Sequence, residues 1–390
     1  MHLASLQITV VGAGVAGLCL ACALAQRGAQ VRVLEQADAI REVGAGLQIS
    51  PNGAAVLRAL GVAVDGTRAQ AVVLRNGADA RRVLRLDLAR LRPDQDYLFV
   101  HRADLIAALK AAAEAAGAQI ALTQKVLSID LSGDRPRLTT MDGPQEVDLL
   151  IGADGLHSHV RAALNGPQTP FFTGQVAWRA LIPCETDAPP EAEVFMGPGR
   201  HLVSYPLRGG TLRNIVAVEE RRSWTQESWT LRDDPMEMQL AFEAFDPKVR
   251  AWLDQAQDVW LWGLFRHPVA PLWGRALPKG AAALLGDAAH PTLPFLAQGA
   301  CMALEDAFVL AGTLQSAPDL TQALSQYQSA RHARTSRTVA AANGNARAYH
   351  LRDPLRAFAH LGLRLSGLLA PGFALSRFDW LYGHDVTQQP

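Results

Sequence analysis

Three short apolar runs in the chain each break on glycine. Ile8–Val11 precedes Gly12-Ala-Gly-Val-Ala-Gly17, Val147–Ile151 precedes Gly152-Ala-Asp-Gly155, and Ala281–Leu285 precedes Gly286-Asp287. Runs of this length and composition are the pattern of parallel strands covered on both faces. The first is followed by an apolar helical stretch that ends at Gly28, and then by a second strand pattern closed by Glu35. A short helix follows over Asn52–Leu60, with strands and turns over 62–97. Tyr97–Arg102 returns to strand, and Asp104 is expected to cap a helix over Leu105–Ala116. Strands are expected at Gln119–Leu122, Lys125–Leu131 and Arg137–Met141, and a helix starts near Ser158. From about 171 to 265 the period changes to two: Val176–Ile182, His201–Leu207 and Asn214–Glu219 alternate as antiparallel strands do. Helical patterns cover Pro235–Phe245, Pro247–Asp254, Gln298–Leu314, Gln322–Ala346 and Pro354–Leu369.

The first break carries chemistry. Gly12, Gly14 and Gly17 fit G-x-G-x-x-G at a strand-to-helix turn. Gly12 permits the turn, Gly14 lets backbone approach a pyrophosphate, and Gly17 lets helix and strand pack closely. The helix start then offers free N–H groups to that phosphate, and Glu35 stands where an acid takes a ribose hydroxyl pair. The pattern predicts an α/β fold. A Rossmann-like dinucleotide-binding domain is built from residues 1–74, 98–170 and 275–350. A mainly antiparallel sheet domain is inserted from 75–97 and 171–274. A C-terminal helical segment, 351–390, is expected to pack on the first domain.

Composition removes other classes. Lys plus Arg and Asp plus Glu both number 37, so nothing in the balance favours nucleic acid or an acidic partner. The N-terminal apolar segment reads as a strand interrupted by glycines, not as a leader, and no apolar run is long enough to span a bilayer. Four cysteines in 390 residues argue against a disulfide scaffold and suggest the cytoplasm. Cys19 and Cys22 form C-x-x-C, but among Leu and Ala they read as small buried hydrophobes. No spacing of Cys, His and acids suggests a metal site.

One dinucleotide needs only the first glycine break. Acids at two further strand ends imply a longer cofactor crossing the sheet, and FAD is long enough. The chain resembles the class A, single-component, FAD-dependent aromatic hydroxylases, in the branch of salicylate hydroxylase, 3-hydroxybenzoate 6-hydroxylase and 6-hydroxynicotinate 3-monooxygenase. The motifs that carry the resemblance are Gly12–Gly17, Gly44-Ala-Gly-Leu-Gln-Ile-Ser-Pro-Asn52 and His101-Arg-Ala-Asp-Leu105. They continue with Gly152–Arg161, Gly286-Asp-Ala-Ala-His-Pro291, Ala297–Asp306 and Phe378-Asp-Trp-Leu-Tyr-Gly383. The resemblance implies that Glu35 holds the adenosine ribose and Arg102 the phosphates or ribityl region. It further implies that Arg41 contacts the cofactor, that Asp287 bonds the ribityl chain or pyrophosphate, and that Asp154 and Gly155 form a motif shared by FAD and the nicotinamide donor. No second dinucleotide fold is expected for NADH or NADPH. Gly299-Ala300 would open a helix whose N–H groups and dipole face the flavin and stabilise negative charge there.

On the substrate side, His201 and Tyr205 share one strand face, roughly 13 Å apart at the usual rise. The hydroxybenzoate-type relatives carry a catalytic His and Tyr with this spacing, and His can accept a phenolic proton near neutral pH. Gln48, Pro291 and Phe295 are the other expected substrate contacts. His290 reads as shaping its loop. Thr292–Phe295 is apolar, which disfavours a pyridine or a polar para-substituent. Trp260 and Trp262 read as core. The expected activity is NAD(P)H- and O₂-dependent hydroxylation of a phenol or hydroxybenzoate-like substrate through a flavin C4a-hydroperoxide, by a monomer or homodimer. The alternatives are an oxidase, halogenase, or polyketide or quinone hydroxylase on the same scaffold, a non-catalytic FAD-fold protein, and a plain NAD dehydrogenase.

Overall fold

The structure, a computed structural model, describes residues 2–40, 46–222 and 231–388. Six strands form the first sheet in the order β19 (Gly274–Leu277), β20 (Gly280–Leu284), β12 (Leu149–Gly152), β1 (Gln7–Val11), β2 (Gln30–Leu34), β8 (Gln119–Ala121). All neighbours are parallel except β19 with β20. The register pairs Val11 with Gly152 and Gly152 with Leu284, so the three glycine breaks lie side by side at one edge. That edge is where parallel sheets hold ligands. Helix α1 (Val15–Ala25) is buried along its whole length, packed by α4 (Arg102–Ala115) and α8 (Gly299–Ser316). Its apolar composition on every side therefore matches its place.

Eight strands form the second sheet: β17 (Arg232–Asp233), β18 (Val259–Arg266), β13 (Phe171–Pro183), β16 (Leu212–Glu220), β15 (Arg200–Leu207), β14 (Glu191–Gly197), β5 (Ala71–Asn76), β6 (Arg82–Asp87). It is antiparallel except at β14–β5. Its period of two sorts the side chains. Leu202, Ile215 and Ala217 meet Met238, Phe242, Val249 and Trp252 of α6 (Pro235–Ala241), α7 (Pro247–Leu253) and the turn between them. His201, Val203, Tyr205, Val216 and Val218 face the other way, onto a cavity. Two three-stranded sheets complete the strands: β3 (Gly46–Ile49), β7 (Leu98–His101) and β4 (Gly66–Arg68), then β11 (Gly143–Glu146), β10 (Arg137–Thr140) and β9 (Ser128–Asp130). Short helices α2 (Pro51–Ala59), α3 (Leu88–Leu91) and α5 (His159–Asn165) link strands.

Three expectations are corrected. Helix α4 starts at Arg102, not Leu105, because the His101 imidazole accepts from the Ala103 N–H and caps it; Asp104 instead pairs with Arg208. The second sheet claims β5 from Ala71, ahead of the 74/75 boundary, because β5 adds in parallel to β14. After α9 (Leu320–Tyr349), the C-terminal helices α10 (Leu355–Leu369), α11 (Pro371–Ser376) and α12 (Asp379–Tyr382) do not simply cover the first domain. Helices α10 and α11 lie on β6 of the second sheet, and α12 on α2. Gly367 gives the close approach: a Cβ there would stand 2.8 Å from the Leu84 side chain. Phe358, Leu361, Leu365 and Leu368 of α10 face outward.

Candidate active site

The first glycine break has the geometry its spacing implies. Gly12 has φ +103°, and a Cβ on it would meet the Ala153 carbonyl oxygen at 2.4 Å. A Cβ on Gly17 would stand 2.0 Å from the Gly12 oxygen. Gly14 has nothing within 4 Å of its Cβ direction and opens α1 without a side-chain cap. Gly12 and Gly17 thus hold the turn together, and Gly14 borders open space. Glu35 braces the same turn, accepting from the Ala13 and Ala37 N–H groups at 2.9 Å each.

Between this turn and the second sheet lies a cavity of about 810 Å³, large for one small molecule and ample for a cofactor with a substrate. The expected cofactor residues Gly14, Arg102, Gly155, Asp287, Gly299 and Ala300 line it. So do the expected substrate residues Gln48, His201, Tyr205, Pro291 and Phe295. Asp287 makes no side-chain hydrogen bond among the described residues and lines the cavity; burial raises its pKa, against the pull of His290 and Arg102. The first residues of α8 border the cavity, and Gln298 sends its amide to Ser50 Oγ instead of capping the helix. These residues fit FAD. Gly14 and two helix starts would take the pyrophosphate and the flavin edge, Arg102 the phosphate or ribityl side, and Asp287 a hydroxyl.

Asp154 is not brought to the cavity. Its carboxylate turns back onto the start of α5, accepting from Ser158 Oγ and from the N–H groups of His159 at 2.7 Å and Val160 at 3.3 Å. A helix start with free N–H groups is the nearest partner for an acid five residues upstream. Arg41, Gly44 and Ala45 lie outside the described residues.

His201 is 1% exposed, and its Nδ1 lies 2.7 Å from Nε2 of His350. Burial and the neighbouring His350 push its pKa well below the usual value, so the ring is neutral at neutral pH. Tyr205 stacks on Phe99 at 4.9 Å. Burial raises its phenol against the pull of Arg179 and the Gln48 amide, so Tyr205 remains a neutral hydroxyl. The Tyr97 hydroxyl donates to Gln48 Oε1 at 2.7 Å. Tyr205 also touches the chain at Gly46, where a Cβ would come within 2.7 Å of its oxygen. This contact is a reason for the glycine at that position. His290 is held by buried Asp306 and does not line the cavity, in keeping with a loop-shaping role.

The structure adds residues that sequence reasoning passed over. Trp262 is buried in a small apolar cluster, as its reading as core expects, and it also lines the cavity, with the Arg179 guanidinium 4.8 Å above its ring. Trp260 alternates to the opposite face, under Arg232 at 5.6 Å. Tyr97, Tyr349 and Tyr382 close the wall. Alternation along β13 and β18 was a signal available for Arg179 and Trp262; the tyrosines come from distant segments and had none. Cys19 and Cys22 are both fully buried, with burial raising their thiols, as structural cysteines. Among the described residues no cluster of three or more His, Cys, Asp or Glu could hold a metal, and no helix is long and apolar enough to cross a membrane.

A glycine turn under a parallel sheet, a lone acid at a second strand end, and a substrate sheet closing over both define a flavoprotein. Residues 5–342 match the model of the FAD binding domain family, and the chain belongs to that family. It is 36% identical over 361 residues to the 3-amino-4-hydroxybenzoate 2-monooxygenase of Streptomyces cremeus, covering 89% of each chain. It is 33% identical over 395 residues to the 3-hydroxybenzoate 6-hydroxylase of Klebsiella oxytoca, covering 96% of each. Its fold matches that of a salicylate hydroxylase substrate complex with a TM-score of 0.80 at 22% identity, over 98% of this chain and 97% of the other. The protein is an FAD-dependent monooxygenase of the aromatic-hydroxylase kind, with NAD(P)H and O₂ as co-substrates.

Proposed function

We propose that the substrate is a hydroxylated aromatic acid, a phenol of hydroxybenzoate type, and that His201 and Tyr205 act on its hydroxyl. The observation that carries this reading is the pair itself: a neutral imidazole and a neutral phenol on one face of β15, both looking into the cavity. The hydroxybenzoate relatives support the substrate class. Bound FAD supplies the redox and oxygen chemistry. The chain's own residues orient the ring, exclude water and move a proton. His201 Nε2, which has no hydrogen-bond partner among the described residues, accepts the phenolic proton and makes the ring electron-rich. Tyr205 holds the same oxygen by a hydrogen bond. Phe295, 5.5 Å from His201, and Pro291 press on the ring faces. Arg179 lies on the same wall as Tyr205 and suits the carboxylate. The four free cysteines suit the cytoplasm, where the protein works as a monomer or homodimer.

The test is a screen of hydroxybenzoates and aminohydroxybenzoates for stimulated NAD(P)H oxidation, with product and H₂O₂ measured together. His201→Ala and Tyr205→Phe should lower product per NAD(P)H and slow hydroxylation, by roughly 10²-fold or more for the base, at unchanged flavin content. Wild-type turnover and coupling in both variants would make the pair structural.

A further inference from the structure

His201 does not end its hydrogen bonding at the cavity wall. Its Nδ1 lies 2.7 Å from His350 Nε2, and His350 Nδ1 lies 3.1 Å from Glu220 Oε1. His201 is 1% exposed and His350 5%, whereas the Glu220 side chain is 44% exposed. The three groups therefore form a continuous chain from the buried wall to solvent. Backbone holds them in place. The Gly199 N–H donates to the His350 carbonyl at 3.2 Å, and the Glu220 N–H to the Gly199 carbonyl at 2.9 Å, so the end of α9 is tied to the β14–β15 turn and the end of β16.

We propose that His350 and Glu220 extend His201 into a proton path, and that the proton taken from the substrate hydroxyl leaves along it to bulk water. The inference rests on the reading of His201 as the base. The transfers balance bond by bond. The substrate O–H breaks as His201 gains a proton on Nε2. His201 gives up its Nδ1 proton to His350 Nε2, and His350 its Nδ1 proton to Glu220 Oε1, which exchanges with water. The same path run backwards restores each tautomer as the product hydroxyl regains a proton.

The need for such an exit follows from the surroundings. An imidazolium at His201 would be a buried charge beside a second histidine, and its proton must move on quickly. The groups facing the path are few. Arg200 adjoins His350 and disfavours a resting cation there, and Arg352 Nη2 lies 3.5 Å from Glu220 Oε2. Tyr349, 5.1 Å from His201, has a phenol pushed up to about 12 by burial and stays neutral. The Gln175 amide is 3.3 Å from His350 Nδ1; turned to present its oxygen, it shares the Nδ1 proton with Glu220.

The test uses the holoenzyme with the hydroxybenzoate that stimulates NAD(P)H oxidation most in the screen above. His350→Ala should lower kcat by roughly 10- to 10²-fold with KM and flavin content near wild type. It should also shift the pH profile of kcat and enlarge the solvent deuterium effect, and added imidazole should restore much of the rate. Glu220→Gln, a surface change that leaves folding alone, should slow turnover several-fold and move the same profile. Wild-type kcat, pH profile and solvent effect in both variants would overturn the path while leaving His201 as base. Slow turnover in His350→Ala with an unmoved pH profile and no imidazole rescue would also overturn it, making His350 a support for the His201 ring. A silent His201→Ala would overturn the base and the path together.

Discussion

Gly14 and Gly17 stand three residues apart and do opposite work. A side chain at Gly14 enters open cleft, whereas one at Gly17 drives into the Gly12 carbonyl. Gly14→Val should therefore fold with the thermal stability of wild-type apoprotein yet purify without flavin absorbance and take up no added FAD. Gly17→Ala should lose stability outright, by about 1–3 kcal/mol as overpacked sites do, seen as a lower denaturation midpoint of the apoprotein. Arg102→Ala should weaken FAD through a lost charge-assisted hydrogen bond, read as a raised dissociation constant in a flavin titration. The buried histidines set a pH dependence. Burial lowers the pKa of His201 and of His350, so below about pH 6.5 the unfolded chain binds protons that the folded chain refuses. Stability should fall as pH drops through and below that value. His201→Asn should flatten the slope in denaturant midpoints measured across the range.

Helices α8 and α9 meet across buried charge. Glu305 and Asp306 are fully buried side by side on α8. Arg331 of α9 reaches Asp306 with its Nε at 2.7 Å and Glu305 with its Nη1 at 2.5 Å, and Arg334 reaches Glu305 at 2.8 Å. Burial works against the Asp306 carboxylate, but His290 and Arg331 hold its pKa down at about 2. Asn52 also donates to Glu305, at 2.6 Å, tying α2 into the network. The network fixes the start of α8, and with it Gly299 and Ala300, against the first domain. Arg331→Met would leave two buried carboxylates short of a partner. It should cost roughly 3–5 kcal/mol in equilibrium unfolding, a loss that shrinks in acid as the carboxylates become protonated. The helix positions were legible in the apolar period; that both acids are buried was not, because their partners are 25 and 29 residues on.

Across the whole molecule, the cavity is a joint product of three parts. The first sheet supplies the glycine edge, the second sheet a wall, and the C-terminal helices a cover through Leu363, Ser366, Leu375 and Tyr382. The cover sits on β6 by way of Gly367. Gly367→Leu should lift α10 from β6 and admit water, at a stability cost of about 1–3 kcal/mol. Flavin binding should persist, while H₂O₂ rises and product falls per NAD(P)H consumed.

What the chain alone determined is what local chemistry determines. Glycine spacing, β-branched runs and the switch from strand-like runs to alternation are short-range constraints. They specified the dinucleotide turn, the two kinds of sheet, and the shared face of His201 and Tyr205. Three things needed the tertiary structure. Asp154 was spent on a helix start five residues away, a choice between two satisfactory partners that sequence cannot rank. Helices α10 and α11 crossed to the second sheet, because an amphipathic helix specifies a face but not its partner. The chain His201–His350–Glu220 joins residues from β15, the end of α9 and β16. Hydrogen bonds between segments so far apart exist only once the chain has folded, and nothing in their local sequence marks them.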